Sequence, residues 1–247
     1  MHKKIIKYLY SNIASIIFPN HCIICGNIIE SGNMNYICID CINKKIDYIH
    51  KDEYIRCQRC GKILENINSI CLCKYEDIYF DECKSMLYYT NYAADIIHKM
   101  KFSHRYLICH DFAAMLSYYY KDYILKYDAI TFVPLGKKRL LERGYNQSEI
   151  IAKNISKILN INLIDDIIIR KKETKALSSL NSKTERINMI QNAFEVNSIY
   201  NLKDKINLLI IDDVITTGST LNEISKEIKK LKCINKIGVL TAAELNY

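Results

Sequence analysis

The sequence predicts an α/β protein in which a mainly parallel sheet with flanking helices follows a small cysteine-rich region. Three observations predict it. Eight of the eleven cysteines fall between Cys22 and Cys73, in two units of similar spacing. From Cys83 onward, apolar residues at helical spacing alternate with short apolar runs, the pattern of a parallel sheet covered on both faces. One run ends in adjacent carboxylates and a Thr/Gly/Ser loop, and such sheets bind ligands at the carboxyl ends of their strands.

The 247 residues, 49% of them hydrophobic, suffice for one ordinary domain and a smaller one. With only 2 Pro and 7 Gly there is no tract resembling a long linker. The expected division is 1–20 as an amphipathic N-terminal helix, 21–82 as the cysteine region and 83–247 as the α/β domain. Lys3, Lys4 and Lys7 precede an apolar stretch from Ile13 to Phe18, which superficially resembles an export signal. Ser11, Asn12 and Ser15 interrupt it and no small-x-small cleavage site follows, so a helix packed on the body is the better reading. No later stretch has the roughly eighteen uninterrupted apolar residues of a membrane span. The expected location is cytoplasmic, at most peripheral at the inner face of the membrane. A net charge of +8 favours an anionic partner without choosing among nucleotide, nucleic acid and anionic lipid.

The cysteine units read Cys22-x-x-Cys25-Gly26 with Cys38-x-x-Cys41, then Cys57-x-x-Cys60-Gly61 with Cys71-x-Cys73. Two thiolates two residues apart grip one ion from a tight turn, and the following glycine lets the chain fold back over the sulfurs. A second pair some ten to fifteen residues on completes a tetrahedral set, the spacing of a zinc ribbon. Thiolates select Zn2+ over Mg2+ or Ca2+. The alternatives are a disulfide framework, which would require export, and an iron–sulfur cluster. Sequential pairing is the simplest arrangement, a crossed one the alternative. One or two ions with all four positions filled would be structural rather than catalytic. Metal binding should supply most of the stability of so short a segment. Cys83, Cys109 and Cys233 fall outside the pattern and read as buried thiols.

In the second domain Ala93, Ile96, Ile97 and Met100 share one helical face, and Ile108, Phe112, Met115 and Tyr119 another. A strand is expected from Ala129 to Pro134, then a basic loop from Leu135 to Gly144, then a helix carrying Ile151, Ile155, Ile158 and Leu159. After a polar stretch from Lys171 to Asn192 come a strand at Asn207–Ile211, a helix bearing Leu221, Ile224, Ile228 and Leu231, and a last strand at Ile237–Thr241.

The segment Leu208 to Leu221 carries the chemistry. A buried strand delivers Asp212 and Asp213, and Thr216, Thr217, Gly218, Ser219 and Thr220 open a helix. Backbone N–H groups at a helix start, joined by hydroxyls, bind a phosphate. Two carboxylates beside them accept hydrogen bonds from vicinal ribose hydroxyls. A cap needs only one such hydroxyl, and adjacent acids after a buried strand have no packing role. Lys137, Lys138, Arg139 and Arg143 follow a strand ending on the same side, where they can offset the charge of an anionic ligand. Arg139 and Arg143 are the candidates for catalytic charge stabilisation, a step normally assisted by Mg2+.

This segment closely resembles the signature of type I phosphoribosyltransferases. The resemblance implies that Asp212 and Asp213 contact ribose hydroxyls while Thr216 to Thr220 hold the 5′-phosphate of phosphoribosyl pyrophosphate. Nearly the whole chain resembles the ComF family of competence-associated proteins. The residues are the cysteine pairs, Val133-Pro134, Arg139, Arg143-Gly144-Tyr145-Asn146-Gln147, Arg186-x-Asn188, Ala193-Phe194 and the phosphoribosyl motif. That family implies a zinc-ribbon region fused to a type I phosphoribosyltransferase-like domain, with a role in handling incoming single-stranded DNA during natural transformation. In the loop Thr174 to Leu180, Leu177 stands where relatives often have glutamine, which weakens any specific contact carried over to that loop.

Three functions compete: a phosphoribosyltransferase acting on a base, an amine or a group on DNA; a protein that binds the sugar phosphate or DNA without turnover; and an adaptor for a DNA-translocating helicase. Lys44, Lys45, Lys51, Arg56, Arg59 and Lys62 interleave with Tyr36, Tyr48 and Tyr54, a composition suited to single-stranded DNA. His98, His104 and His110 carry no ligand pattern.

Overall fold

The computed structural model describes residues 19–29, 34, 36–51, 54–103, 105–172, 189–197 and 204–245. The expected N-terminal helix lies almost wholly outside them, as do His104, Arg186, Asn188 and the loop Thr174 to Leu180. Five strands, β1 (Glu82–Tyr88), β2 (Ala129–Phe132), β3 (Asn162–Leu163), β6 (Ile206–Ile215) and β7 (Ile234–Glu244), form one sheet. All its pairings are parallel and its order is β1-β7-β6-β2-β3. A two-stranded antiparallel sheet, β4 (Ile168–Arg170) and β5 (Phe194–Val196), stands apart from it.

The sheet is buried on both faces because its central strand is apolar on both. Leu209 and Ile211 of β6 join one core with Phe112, Ile96, Met100 and Ile151. These come from α2 (Asn91–Phe102), α3 (Leu107–Tyr119), which the short α4 (Lys121–Ile124) follows, and α6 (Gln147–Leu159). Leu208 and Ile210 point the other way, into a core with Ile224 and Ile228 of α7 (Ser219–Ile228) and Ile168 and Phe194 of the small sheet. Among the described residues no helix is long and apolar enough to cross a membrane.

The first ribbon is built into this core. Ile37, Ile42 and Ile46, flanking and within α1 (Ile39–Lys44), are buried with Cys22, Cys41 and Phe112. The fully buried Asp111 of α3 accepts the Tyr36 backbone N–H at 2.7 Å. The second ribbon buries little: Ile67, Ile70, Leu72 and Tyr75 are all exposed. Dependence on metal for folding therefore applies more to the second unit than to the first, whose apolar residues are covered by the larger domain.

Three expectations are corrected. The basic stretch 135–144 is not a loop: Lys137–Arg143 forms α5, ended by Gly144 in the left-handed region at φ 79°. None of its side chains is buried, so the apolar period that marks a helix is missing. Strand β6 runs on to Ile215, so both carboxylates lie within the strand, paired with β7 at Asp212↔Thr241. A strand, β1, precedes the first helix of the α/β domain, ahead of the strand expected at Ala129; Glu82 and Lys84 break its apolar run, which an edge strand tolerates.

Candidate functional site

Two places in the chain carry chemistry. The first comprises the cysteines. Cys22, Cys25, Cys38 and Cys41 form one set and Cys57, Cys60, Cys71 and Cys73 the other, with all sulfurs of a set within 4.8 Å of one another. The pairing is sequential. Sulfur separations of 3.7 Å for Cys25 and Cys38, 3.6 Å for Cys57 and Cys73, and 3.4 Å for Cys60 and Cys71 approach the edge of a Zn–thiolate tetrahedron, about 3.8 Å for bonds of ~2.3 Å. Gly26 at φ 78° and Gly61 at φ 79° make the left-handed turns behind each first pair. Burial works against ionising Cys22, but backbone N–H groups, that of Cys38 among them at 3.4 Å from the sulfur, bring its thiol down to about 7. The donor set thus fits zinc with no position left open.

Cys83, Cys109 and Cys233 are all buried and belong to neither set.

The second is a cleft of about 330 Å³ at the carboxyl ends of β2 and β6, bordered by α2, α5, α6 and the start of α7. β6 contributes Asp212 and Asp213. After the turn, Gly218 takes φ 75° and caps α7, and the Thr217 and Ser219 hydroxyls lie 2.8 Å apart at the helix start. A left-handed residue at this point turns the chain so that successive N–H groups face one space. The loop Thr216 to Thr220 lines the cleft in full.

Asp212 accepts a hydrogen bond from the Ser148 hydroxyl at 2.9 Å and from the Asp213 backbone N–H at 2.9 Å. Burial, then the neighbouring Asp213 carboxylate, push its pKa up to about 7. Asp213 is paired with Lys101 at 3.1 Å. Arg139 and Arg143 of α5 line the same cleft, whereas Lys137 and Lys138 are exposed on α5 and do not. The helix explains the split: residues four apart share a face, and Lys137 and Lys138 lie off it.

Lys101, Asn146, Gln147, Ser148 and Arg170 also line the cleft, and sequence reasoning gave none of them a role. Asn146 caps α6 through the Ser148 N–H and donates to the Val133 carbonyl at 3.0 Å, tying α6 to the end of β2. Gln147 is buried; its Oε1 accepts from Arg143 at 3.2 Å while its Nε2 finds no protein acceptor among the described residues. The Arg143-Gly144-Tyr145-Asn146-Gln147 motif pointed to this corner. Lys101 had no such signal, since a lysine in the last turn of a helix reads as an ordinary C-terminal cation.

Fold and site define a class: a double-ribbon protein whose parallel α/β domain sets an acidic pair and a hydroxyl-rich helix start in one basic cleft. Residues 13–75 match the model of the double zinc ribbon domain. Competence protein F of Haemophilus influenzae is 33% identical over 181 residues, 71% of this chain and 79% of that protein. Competence protein ComFC of Streptococcus pneumoniae is 30% identical over 143 residues, 58% of this chain and 60% of its own length. DNA utilization protein YhgH of Salmonella typhimurium is 26% identical over 179 residues, 69% and 76% of the two chains. The chain belongs to the ComF family. Among solved structures, purine phosphoribosyltransferase from Pyrococcus horikoshii overlaps 54% of this chain and 80% of its own, with a TM-score of 0.32 and 19% identity, too loose an overlap to define a shared fold.

Proposed function

We propose that the cleft binds phosphoribosyl pyrophosphate with Mg2+ and that the α/β domain is a type I phosphoribosyltransferase-like domain. One observation carries this reading: the acidic pair of β6 and the hydroxyl-rich start of α7 face two arginines of α5 across a single cleft. The α7 N-terminus and the hydroxyls of Thr216, Thr217, Ser219 and Thr220 take the 5′-phosphate. Asp212 and Asp213 accept from the ribose hydroxyls, with Ser148 and Lys101 holding them. Arg139 and Arg143 offset the charge of pyrophosphate, as bidentate guanidinium groups do well. Lys137 and Lys138 contribute at longer range. If turnover follows, the bond from the anomeric carbon to pyrophosphate breaks, and charge stabilisation is the main catalytic demand. The ribbons hold one Zn2+ each as structural ions.

The names of the relatives, competence protein and DNA utilization protein, suggest the setting: handling of DNA during uptake, with other competence proteins and a DNA-translocating helicase as partners. Exposed Tyr54 and Tyr75 on the second ribbon favour a contact with single-stranded DNA by stacking. The test is calorimetric titration of the zinc-loaded protein with phosphoribosyl pyrophosphate and Mg2+, beside the Asp212→Asn/Asp213→Asn variant. Saturable binding lost in the variant supports the reading, and pyrophosphate release with free bases or single-stranded DNA then reports turnover. A folded protein that takes up no ligand moves the function to DNA binding or an adaptor role.

A further inference from the structure

A second cavity, about 650 Å³, opens on the other side of the hydroxyl loop. It shares Thr216, Thr217, Gly218 and Ser219 with the first cleft, and Ile215 and Leu245 as well. Its outer wall is the second ribbon, with Gly61, Lys62 and Ile63 facing Glu223 and Asn222 of α7.

That wall is fixed to the domain at several points. Arg56 pairs with Glu244 at the end of β7 at 2.6 Å and donates to the Gly61 carbonyl at 2.9 Å. Asn222 accepts the Tyr79 N–H and donates to the Asp77 carbonyl, both at 2.7 Å. The Cys83 N–H reaches the Gln58 carbonyl at 3.3 Å. Gly61 takes a left-handed conformation, φ 79°, that strains any larger residue, and a Cβ there would touch the Cys83 carbonyl oxygen at 3.4 Å. The cavity is therefore a built junction between ribbon and loop.

The two lobes differ in charge. The first cleft sets Lys101, Arg139, Arg143 and Arg170 against two carboxylates, an excess of cations suited to a pyrophosphate. The second sets Glu76, Asp77 and Glu223 against Lys62 and Lys226, Glu244 being already paired with Arg56, which leaves a small excess of acceptors beside the apolar surface of Ile63 and Tyr79. Such a lobe rejects a second phosphate and accepts an apolar ring bearing N–H donors.

We propose that the second ribbon completes a ligand site for an amino-bearing aromatic heterocycle, either a free base or a base within a single strand, held next to the phosphoribosyl ligand across the shared loop. The proposal deepens the phosphoribosyl reading and rests on it for the neighbouring ligand, though not for the lobe itself.

The test uses full-length, zinc-loaded protein and saturation-transfer NMR with adenine, cytosine, uracil and an oligodeoxyadenylate, each with and without phosphoribosyl pyrophosphate and Mg2+. Ile63→Trp fills the lobe from an exposed position, and Asp77→Lys reverses its charge; zinc content and thermal unfolding establish that both variants fold. Adenine or cytosine should bind better than uracil, and both substitutions should weaken binding about tenfold while phosphoribosyl pyrophosphate binding stays unchanged. Binding of the oligonucleotide but not the free bases, with the same losses, assigns the source as a DNA strand. No binding by any amino base in either form, or binding untouched by both substitutions, overturns the proposal. Amino bases that bind and respond to the substitutions while phosphoribosyl pyrophosphate does not bind would remove the phosphoribosyl reading and leave the lobe.

Discussion

Replacing Asp212 by Asn should make the ligand-free protein more stable while weakening the ribose contact proposed for it. Asp212 sits with its pKa raised from the ordinary 3.8 to about 7 by burial and by Asp213. In the unfolded chain it ionises near ~3.9, so between about pH 4 and 7 the folded form holds the proton more tightly. The associated stability is present at low pH and is lost as pH rises through 7. The interval from 3.8 to about 7, at about 1.4 kcal/mol per tenfold change in proton affinity, sets a ceiling of about 4 kcal/mol on the cost of the ionised form. The Ser148 hydroxyl bond to the carboxylate is already counted in that interval, and the partial solvent exposure of Asp212 screens the cost further, to roughly half the ceiling. A net gain of about 2 kcal/mol is expected at pH 8, or about 4–8 °C in Tm for a chain of this size. Denaturant and thermal unfolding of wild-type and Asp212→Asn proteins, zinc-loaded, should be followed from pH 5.5 to 8; lower pH is avoided because protonated thiols release metal. The variant's advantage should appear at pH 8 and shrink towards pH 5.5. An advantage independent of pH, or none at pH 8, would refute the raised ionisation of Asp212 as its source.

The two metal sets should behave differently. Cys41→Ser should cost on the order of 2 kcal/mol or more in unfolding of the whole chain, because Cys41 packs in the core with Phe112, whereas Cys71→Ser should lower zinc content from two to one by native mass spectrometry with a much smaller effect on that unfolding. Arg143→Ala should weaken phosphoribosyl pyrophosphate binding about tenfold by calorimetry, with Arg143→Lys recovering only part, because a lysine cannot reproduce the guanidinium fork; Lys137→Ala, on the exposed face of α5, should change little. Gly218→Val should cost about 1–3 kcal/mol in unfolding and lose the ligand, because a β-branched residue resists φ 75° at the turn that opens α7.

What was legible in the sequence was contiguous in it. Four cysteines in each set span at most twenty residues, so the turn chemistry of Cys-x-x-Cys-Gly and thiolate preference made a metal framework legible, while the choice of sequential over crossed pairing came from the structure. The acids and hydroxyls of 212–220 sit on one strand, one turn and one helix start, and short-range geometry alone brings them together. The helices with a buried stripe were equally readable, because a 3.6-residue apolar period records a one-sided environment. Helix α5 left no such record, having no buried face. Strand β1 was hidden for a related reason, its charged residues being allowed by an edge position that only the sheet order β1-β7-β6-β2-β3 reveals.

By itself the sequence determined a framework of paired cysteines, a parallel α/β domain and a hydroxyl-rich loop after an acid pair, since each is fixed by interactions between near neighbours in the chain. Only the tertiary structure decided which cations reach the acids, bringing Lys101 from the end of α2 to Asp213 and keeping Arg139 and Arg143 while leaving Lys137 and Lys138 outside. It alone placed the second ribbon over the hydroxyl loop, through an Arg56–Glu244 pair 188 residues apart. Contacts of that range depend on strand order and on the packing of two cores, and no local pattern in the chain records them.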